Sequence, residues 1–480
     1  MNGTMIIYML GWVMNLEAAF MLLPCLTALI YRESAGFSFL IVAFALLIAG
    51  VLCTFRKPAN KAFYAREGFA VVALSWILLS VTGALPFVIS GEIPHFIDAM
   101  FETVSGFTTT GSSILTDVEA LSRCMLFWRS FTHWIGGMGV LVFMLAIVPM
   151  AGGQSIHLLR AESPGPAVSK LVPRLRGTAT ILYGIYLVMT VAEILLLLAT
   201  GMPVFDSITI AFGTAGTGGF AILNSGLASY TVLQQGIVTV FMILFGINFN
   251  VYFLLLIRRR PKEALKSEEM RWYLIIIAAA IGLITLNVRG LFSSWWEAFH
   301  HTTFQVASII TTTGFSTSDF NLWPGFSRTI LVLLMFVGAC AGSTGGGIKV
   351  SRIVVAVKAV AKELARFIHP RNVRMLKLEG KKVEHETLRT INIFLTAYFL
   401  LFALSTLLIS LDNFDLITSF TSVAATLNNI GPGLEIVGPM SNFSAFSGLS
   451  KCVLMFDMLA GRLELFPMLL LFVPATWKRN

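Results

Sequence analysis

The sequence predicts an all-α integral membrane protein. Two N-terminal transmembrane helices are followed by four pseudo-symmetric repeats around a common axis, each built as span, short helix, loop and span. Three observations carry this. Of 480 residues, 56% are hydrophobic and 12% charged, against about 25% charged in soluble domains. Uncharged stretches such as 34–55 and 226–257 exceed the ~20 residues a helix needs to cross hydrocarbon. Between such stretches a polar run built around a glycine occurs four times: "FTTTGSS", "GTAGTGGFA", "IITTTGFS" and "TLNNIGPG".

The first apolar segment, 5–31, contains Glu17 and lacks a basic leader or a small-residue cleavage site, so it reads as a retained span. The second covers 34–55. Beyond them, 26 of the 34 Lys and Arg fall in 56–66, 160–176, 258–271, 352–389 and 478–479. The positive-inside rule puts all five segments, and both termini, on the cytoplasmic side. The formal charge of +9 is therefore mostly topology and no sign of nucleic-acid binding. It also offers a face to an acidic partner or to anionic lipid.

The chain between successive basic segments must leave and return. This divides it into the N-terminal pair at 1–60 and repeats at 61–155, 156–260, 261–365 and 366–480. Each repeat carries a short segment opening near an acid, at Asp98, Asp206, Glu297 and Asp415. The acids lie 13, 13, 17 and 16 residues before Gly111, Gly219, Gly314 and Gly431. That leaves room for two to four helical turns, with the acid at the positive end of the helix dipole. Such helices are too short to cross, so they dip in from outside and return. The count is ten spans and four re-entrant loops.

Irregular backbone at membrane depth is tolerated where it is buried in protein or lines an aqueous path. Four such loops on one axis can present rings of carbonyls that replace the water shell of a cation. Glycine allows the backbone to aim those carbonyls inward, and Thr hydroxyls add uncharged oxygens. The lack of carboxylates inside the runs fits a monovalent cation with little water left on it. The candidate filter residues are Thr110, Gly111, Gly218, Gly219, Thr313, Gly314, Ile430 and Gly431.

With those runs in view, and with "FWRSFTHWIGGMG", "AESPGP", "GACAGSTGGGIK" and "GRLE", the chain resembles the TrkH/TrkG branch of the Trk/Ktr/HKT potassium transporter superfamily over almost its whole length. The resemblance implies M1–P–M2 repeats around a central pore and K⁺ as the permeant ion at the filter residues. No organic cofactor on this chain is implied. The family's filter glycine carries over onto Gly111, Gly219, Gly314 and Gly431. In related HKT proteins a serine in the first loop accompanies sodium selectivity, so Gly111 favours potassium. Gly218 and Ile430 stand where the other repeats have threonine, which implies a pseudo-fourfold pore. Also implied are a bacterial cytoplasmic (inner) membrane location, a homodimer, and a TrkA-like cytoplasmic partner ring of nucleotide-binding RCK domains. The segments 258–271 and 352–389 would be its docking faces.

Within 338–349, Gly338, Gly342, Gly345, Gly346 and Gly347 cluster. At ~1 kcal/mol each relative to alanine they disfavour a continuous helix. The resemblance makes this an intramembrane gating loop below the filter. It is no nucleotide P-loop, because Ile348 stands where that motif requires lysine. Arg462 falls within the last apolar stretch, 450–473, where a charge usually marks function. Asp457 and Glu464 lie about 140° and 200° around an ideal helix from it, so its partner is another helix, a carbonyl or the aqueous path. The family places a pore-barrier arginine here. Glu17, Arg129, Glu193 and Asp457 read as structural pairing groups, and His133 as a hydrogen-bonded packing residue. The five cysteines and seven histidines show no metal, redox or catalytic spacing, which argues against an enzyme. A proton- or sodium-coupled symporter is the alternative, although repeats of a single topology favour a channel-like pore over the inverted repeats of many carriers.

Overall fold

A computed structural model describes residues 1–58, 64–147, 175–369 and 375–477. Most of 160–176, all of 478–479, parts of 56–66 and 352–389, and the "AESPGP" run with Glu162 lie outside the described residues.

The N-terminal pair packs through small residues. Gly3–Phe20 and Leu22–Tyr31 form a single span that lies against Gly36–Thr54. A Cβ on Gly11 would sit 2.7 Å from the Cβ of Cys53, and one on Gly50 2.4 Å from Asn15 Oδ1. Glycine lets these backbones approach as membrane helices do when no hydrophobic force drives them together.

Among the described residues, six helices are long and apolar enough to cross a membrane. The helices Val232–Phe245 and Phe249–Ile257, bent by 92° at their junction, make a seventh if counted as one span. The chain is thus a multi-pass membrane protein. The other three expected spans are charged or interrupted: Arg123–Ile147, the pair Gly325–Val337 and Val350–Ile368, and Gly448–Arg462 with Phe466–Leu471.

The four short helices stand where the acids predict them: Phe96–Phe107, Val204–Ala215, Trp295–Ile310 and Leu416–Leu427. At 1.5 Å per residue they run roughly 18 to 24 Å, short of a ~30 Å hydrocarbon core. Asp98, Asp206 and Glu297 lie in first turns. Asp415 is itself the N-cap, accepting the Thr418 amide at 3.0 Å.

Two spans differ from expectation. The stretch 226–257 is not continuous. Its helix stops at Phe245, where Gly246 lies so close to Tyr273 that a Cβ would meet the phenol oxygen at 2.3 Å. The chain then turns and restarts at Asn248, whose side chain accepts the Asn250 amide at 2.9 Å. The last span breaks directly after Arg462, because Glu464 and Leu465 adopt positive φ of 56° and 69°. Arg462 therefore closes a helix at the break inside this span.

Candidate functional site

The four polar runs share one backbone, although their side chains differ. Each short helix ends in a Schellman-type cap, whose outer hydrogen bond spans five residues. The amides of Thr110, Gly218, Thr313 and Ile430 donate to the carbonyls of Ser105, Gly213, Ser308 and Ala425, all at 2.8–2.9 Å. In each run two residues, separated by one, have positive φ. They are Thr109 and Gly111, Thr217 and Gly219, Thr312 and Gly314, and Asn429 and Gly431. Twofold use of the left-handed region within three residues is unusual for L-residues. Its fourfold repetition gives the four runs the same main-chain conformation.

The runs close into a ring. A Cβ on Gly111 would lie 2.0 Å from the Gly218 carbonyl oxygen, one on Gly219 2.0 Å from that of Thr313, and one on Gly314 2.1 Å from that of Ile430. Gly431 completes the circuit against the Thr110 carbonyl at 2.9 Å. Each glycine thus leans on the carbonyl of the next run, and four carbonyl oxygens stand in one ring. All eight candidate filter residues meet here. Gly111, Gly219 and Gly314 keep partial exposure within runs otherwise largely buried.

The side chains brace the ring from behind. The hydroxyls of Thr110 and Thr313 pair with those of Thr108 and Thr311 at 2.8 Å. The oxygens expected of them as ligands are thus engaged within their own runs. Asn429 Nδ2 donates to Thr110 Oγ1 at 3.0 Å and to the Met458 carbonyl at 2.9 Å. Ser112 Oγ donates to the Gly431 carbonyl at 2.9 Å. Gly218 departs from threonine for a steric reason: a Cβ there would meet the His133 ring at 2.2 Å. His133 Nε2 accepts the Phe220 amide at 3.2 Å, so Nδ1 holds the proton and donates to the Gly106 carbonyl at 2.8 Å. Both nitrogens of a neutral imidazole are occupied, which agrees with the packing role read from sequence.

A buried ion pair carries the first two runs. Arg129 and Glu102 lie 2.7 Å apart. Glu102 also accepts Ser113 Oγ at 3.0 Å and the Ile114 amide at 3.1 Å. Arg129 donates to the Ala221 carbonyl at 3.2 Å and lies 4.1 Å from the Phe220 ring centre. One pair therefore fixes the exits of both loops. Glu102 did not stand out in the sequence, although it is the one charge inside an otherwise apolar helical turn.

The glycine-rich segment 338–349 links Gly325–Val337 to Val350–Ile368 as irregular backbone, with positive φ at Gly338, Gly342, Gly347 and Lys349. It passes under the ring. The Gly346 amide donates to Thr312 Oγ1 at 2.6 Å, and a Cβ on Gly346 would lie 2.4 Å from the Asn428 carbonyl. A Cβ on Gly345 would lie 2.9 Å from the Thr311 carbonyl. On the far side the Cys340 amide donates to the Gly246 carbonyl, and the Phe249 amide to that of Gly342, both at 3.0 Å. The unforeseen break in the second repeat is thus the seat of this segment. Arg462 finds carbonyls, one of the partners its helix position allows: Thr344 at 2.8 Å and Gly136 at 2.6 Å. It ties the glycine-rich segment to the second span of the first repeat. Below it, Arg352 pairs with Glu464 and lies 4.2 Å from the Phe394 ring centre. Among the described residues no cluster of His, Cys, Asp and Glu could hold a metal ion.

Comparison with known proteins agrees with this fold. Residues 35–479 match the TrkH family, described as a cation transport protein. The Trk system potassium uptake protein TrkH of Salmonella typhimurium is 38% identical over 475 residues, 98% of each chain. TrkG of Escherichia coli is 33% identical over 478 residues, again 98% of each. The crystal structure of the potassium transporter TrkH from Vibrio parahaemolyticus superposes with a TM-score of 0.90 at 34% identity, covering both chains fully.

Proposed function

This chain belongs to the TrkH cation transport family, and from that premise we propose that it takes up potassium through a channel-like pore. The closed ring of four carbonyls carries the reading. Carbonyl oxygens replace water around a weakly hydrated cation without trapping it by charge, and the glycines allow the close approach that forms the ring. The four repeats, with the boundaries read from sequence, are its walls, and Thr110, Gly218, Thr313 and Ile430 supply the carbonyls. Its relatives are named potassium uptake proteins, and the chain is accordingly a transporter rather than an enzyme. Its location is the bacterial inner membrane with both termini cytoplasmic. It works as a homodimer with a TrkA-like cytoplasmic regulator, which docks on 258–271 and 352–389 and carries the nucleotide response.

Segment 338–349 is the gate. It occupies the space below the ring, and Arg462 adds a positive charge that raises the barrier to a cation. Replacing Arg462 with glutamine removes that charge and weakens the tether to Thr344 and Gly136. Flux of Rb⁺ into liposomes holding the protein alone should rise roughly tenfold, as a barrier lowered by about 1.4 kcal/mol gives. Unchanged flux would remove Arg462 from the conduction path.

The proton-coupled form of the symporter alternative needs a titratable group on the ion path. Among the described residues the ring offers none, and the buried carboxyls Glu17 and Asp457 accept hydrogen bonds from Thr82 and Ser405 in helix contacts. Flux into proteoliposomes separates the two. K⁺ movement down its own gradient without a proton or sodium gradient supports the pore, and a strict need for either gradient sinks it.

A further inference from the structure

Glu269, in the first turn of Glu268–Val288, is a buried carboxylate with no part in the ring. Its Oε1 accepts the Ala341 amide at 2.7 Å and the Ser351 amide at 3.1 Å. These amides belong to the glycine-rich segment and to the first turn of the helix that follows it. One oxygen therefore clasps the segment across ten residues of chain. Hydrogen bonds to an ionised acceptor are about twice as strong as neutral ones, and this one sits where little water competes.

The clasp has a second layer nearer the cytoplasm. Lys377–Leu378 pairs with Lys381–Lys382 in a two-residue hairpin whose turn, Glu379 and Gly380, has positive φ at both positions. That turn type favours Asn-Gly or Asp-Gly; a glutamate in the left-handed region is strained, and strain held in place points to a function. Glu379 Oε1 accepts the Ser267 hydroxyl at 3.0 Å, the Glu268 amide at 2.8 Å and the Glu269 amide at 3.2 Å. A residue more than a hundred positions away thus caps the helix that presents the clasp, satisfying amides the helix cannot pair itself. Lys358 reinforces the joint, bonding the Glu268 carboxylate and, at 3.0 Å, the Lys377 carbonyl. Leu376, buried beside Val355 and Ile391, anchors the base of the hairpin. Lys377, Lys381 and Lys382 remain exposed.

We propose that Glu269 is the positioning residue that holds segment 338–349 closed, and that Glu379 makes the clasp answer to force on the cytoplasmic hairpin. The hairpin lies within 352–389, the basic face assigned above to a regulatory partner, and its three lysines suit an acidic surface. A partner that draws Glu379 away uncaps the helix, frees its first turn and loosens both amides from Glu269. The proposal rests on the gate reading of segment 338–349, so its test reads the segment and the flux separately.

Cys340 supplies the first readout, being a buried thiol inside the segment. In full-length protein with Cys25, Cys53, Cys124 and Cys452 replaced by alanine, the rate of maleimide attachment reports how often the segment opens. Glu269→Gln should speed attachment and Rb⁺ flux together, roughly tenfold, within the range of site-to-site couplings. Glu269→Asp, charged but shorter, should fall between. Glu379→Ala, a surface change that leaves the buried fold intact, should also speed attachment, and adding it to Glu269→Gln should add nothing. Faster attachment with unchanged flux keeps the clasp and overturns the gate reading. Attachment unchanged by Glu269→Gln overturns the clasp, and attachment unchanged by Glu379→Ala overturns the link to the hairpin.

Discussion

Serine in place of Gly111 is expected to lower the preference for K⁺ over Na⁺ by at least about tenfold, the value of ~1.4 kcal/mol. Two effects act together. Gly111 has φ of 84°, a conformation that puts a side chain at a disadvantage of about 1–2 kcal/mol. The added Cβ would also lie 2.0 Å from the Gly218 carbonyl oxygen. That neighbour is main chain and cannot rotate away, so the first and second runs must separate and the ring widens. A widened ring coordinates K⁺ less well and admits ions that keep some of their water. Gly219→Ser and Gly314→Ser should behave alike, since their contacts are 2.0 and 2.1 Å. Gly431→Ser should be mildest, since its nearest carbonyl is 2.9 Å away. Parallel Na⁺ and K⁺ flux measurements on the four variants give the ranking. Equal damage at Gly431 would contradict the ring geometry.

The largest loss of stability is expected from Arg129→Met. It leaves the Glu102 carboxylate buried with no counter-ion, and breaking one partner of such a pair costs about 3–5 kcal/mol. The exits of the first two runs, at Ser113 and Ala221, lose their brace together. Thermal unfolding in detergent, followed by tryptophan fluorescence, should show a clear fall in midpoint. Adding Glu102→Gln should restore much of the loss, because removing both charges also removes the desolvation that the pair was offsetting. A double variant no more stable than the single would mean that Arg129 acts mainly through Phe220 and the Ala221 carbonyl.

How much of this was legible depended on whether the signal was local. The spans, the short helices and the broken glycine segment are written in contiguous residues, so length, acids and glycines announce them. The equivalence of Gly111, Gly219, Gly314 and Gly431 was legible because the pattern occurs four times. Contacts between distant residues were not. No spacing pairs Glu269 with Ala341 and Ser351, or puts the His133 ring where a side chain at 218 would lie. The break at Gly246 had a faint sign, since "FGINFN" places a glycine and two asparagines in an apolar run, but hydropathy averages over them. The helix break after Arg462 was not legible because Glu464 and Leu465 look helical in sequence; their positive φ belongs with the Arg352 partnership of Glu464, 112 residues away.

The ring of four carbonyls is made from one continuous polypeptide, and this has an evolutionary consequence. In an assembly of four identical subunits a mutation alters every wall at once, so most changes to the mouth are all or nothing. Here each wall is inherited separately. In the second run the His133 ring demands glycine at 218, and in the fourth Asn429 ties the run to the first, while the main-chain circuit stays closed. On the proposed pore reading, single substitutions can therefore shift ion preference one wall at a time, with Gly431, where the circuit is least tightly joined, the most tolerant position.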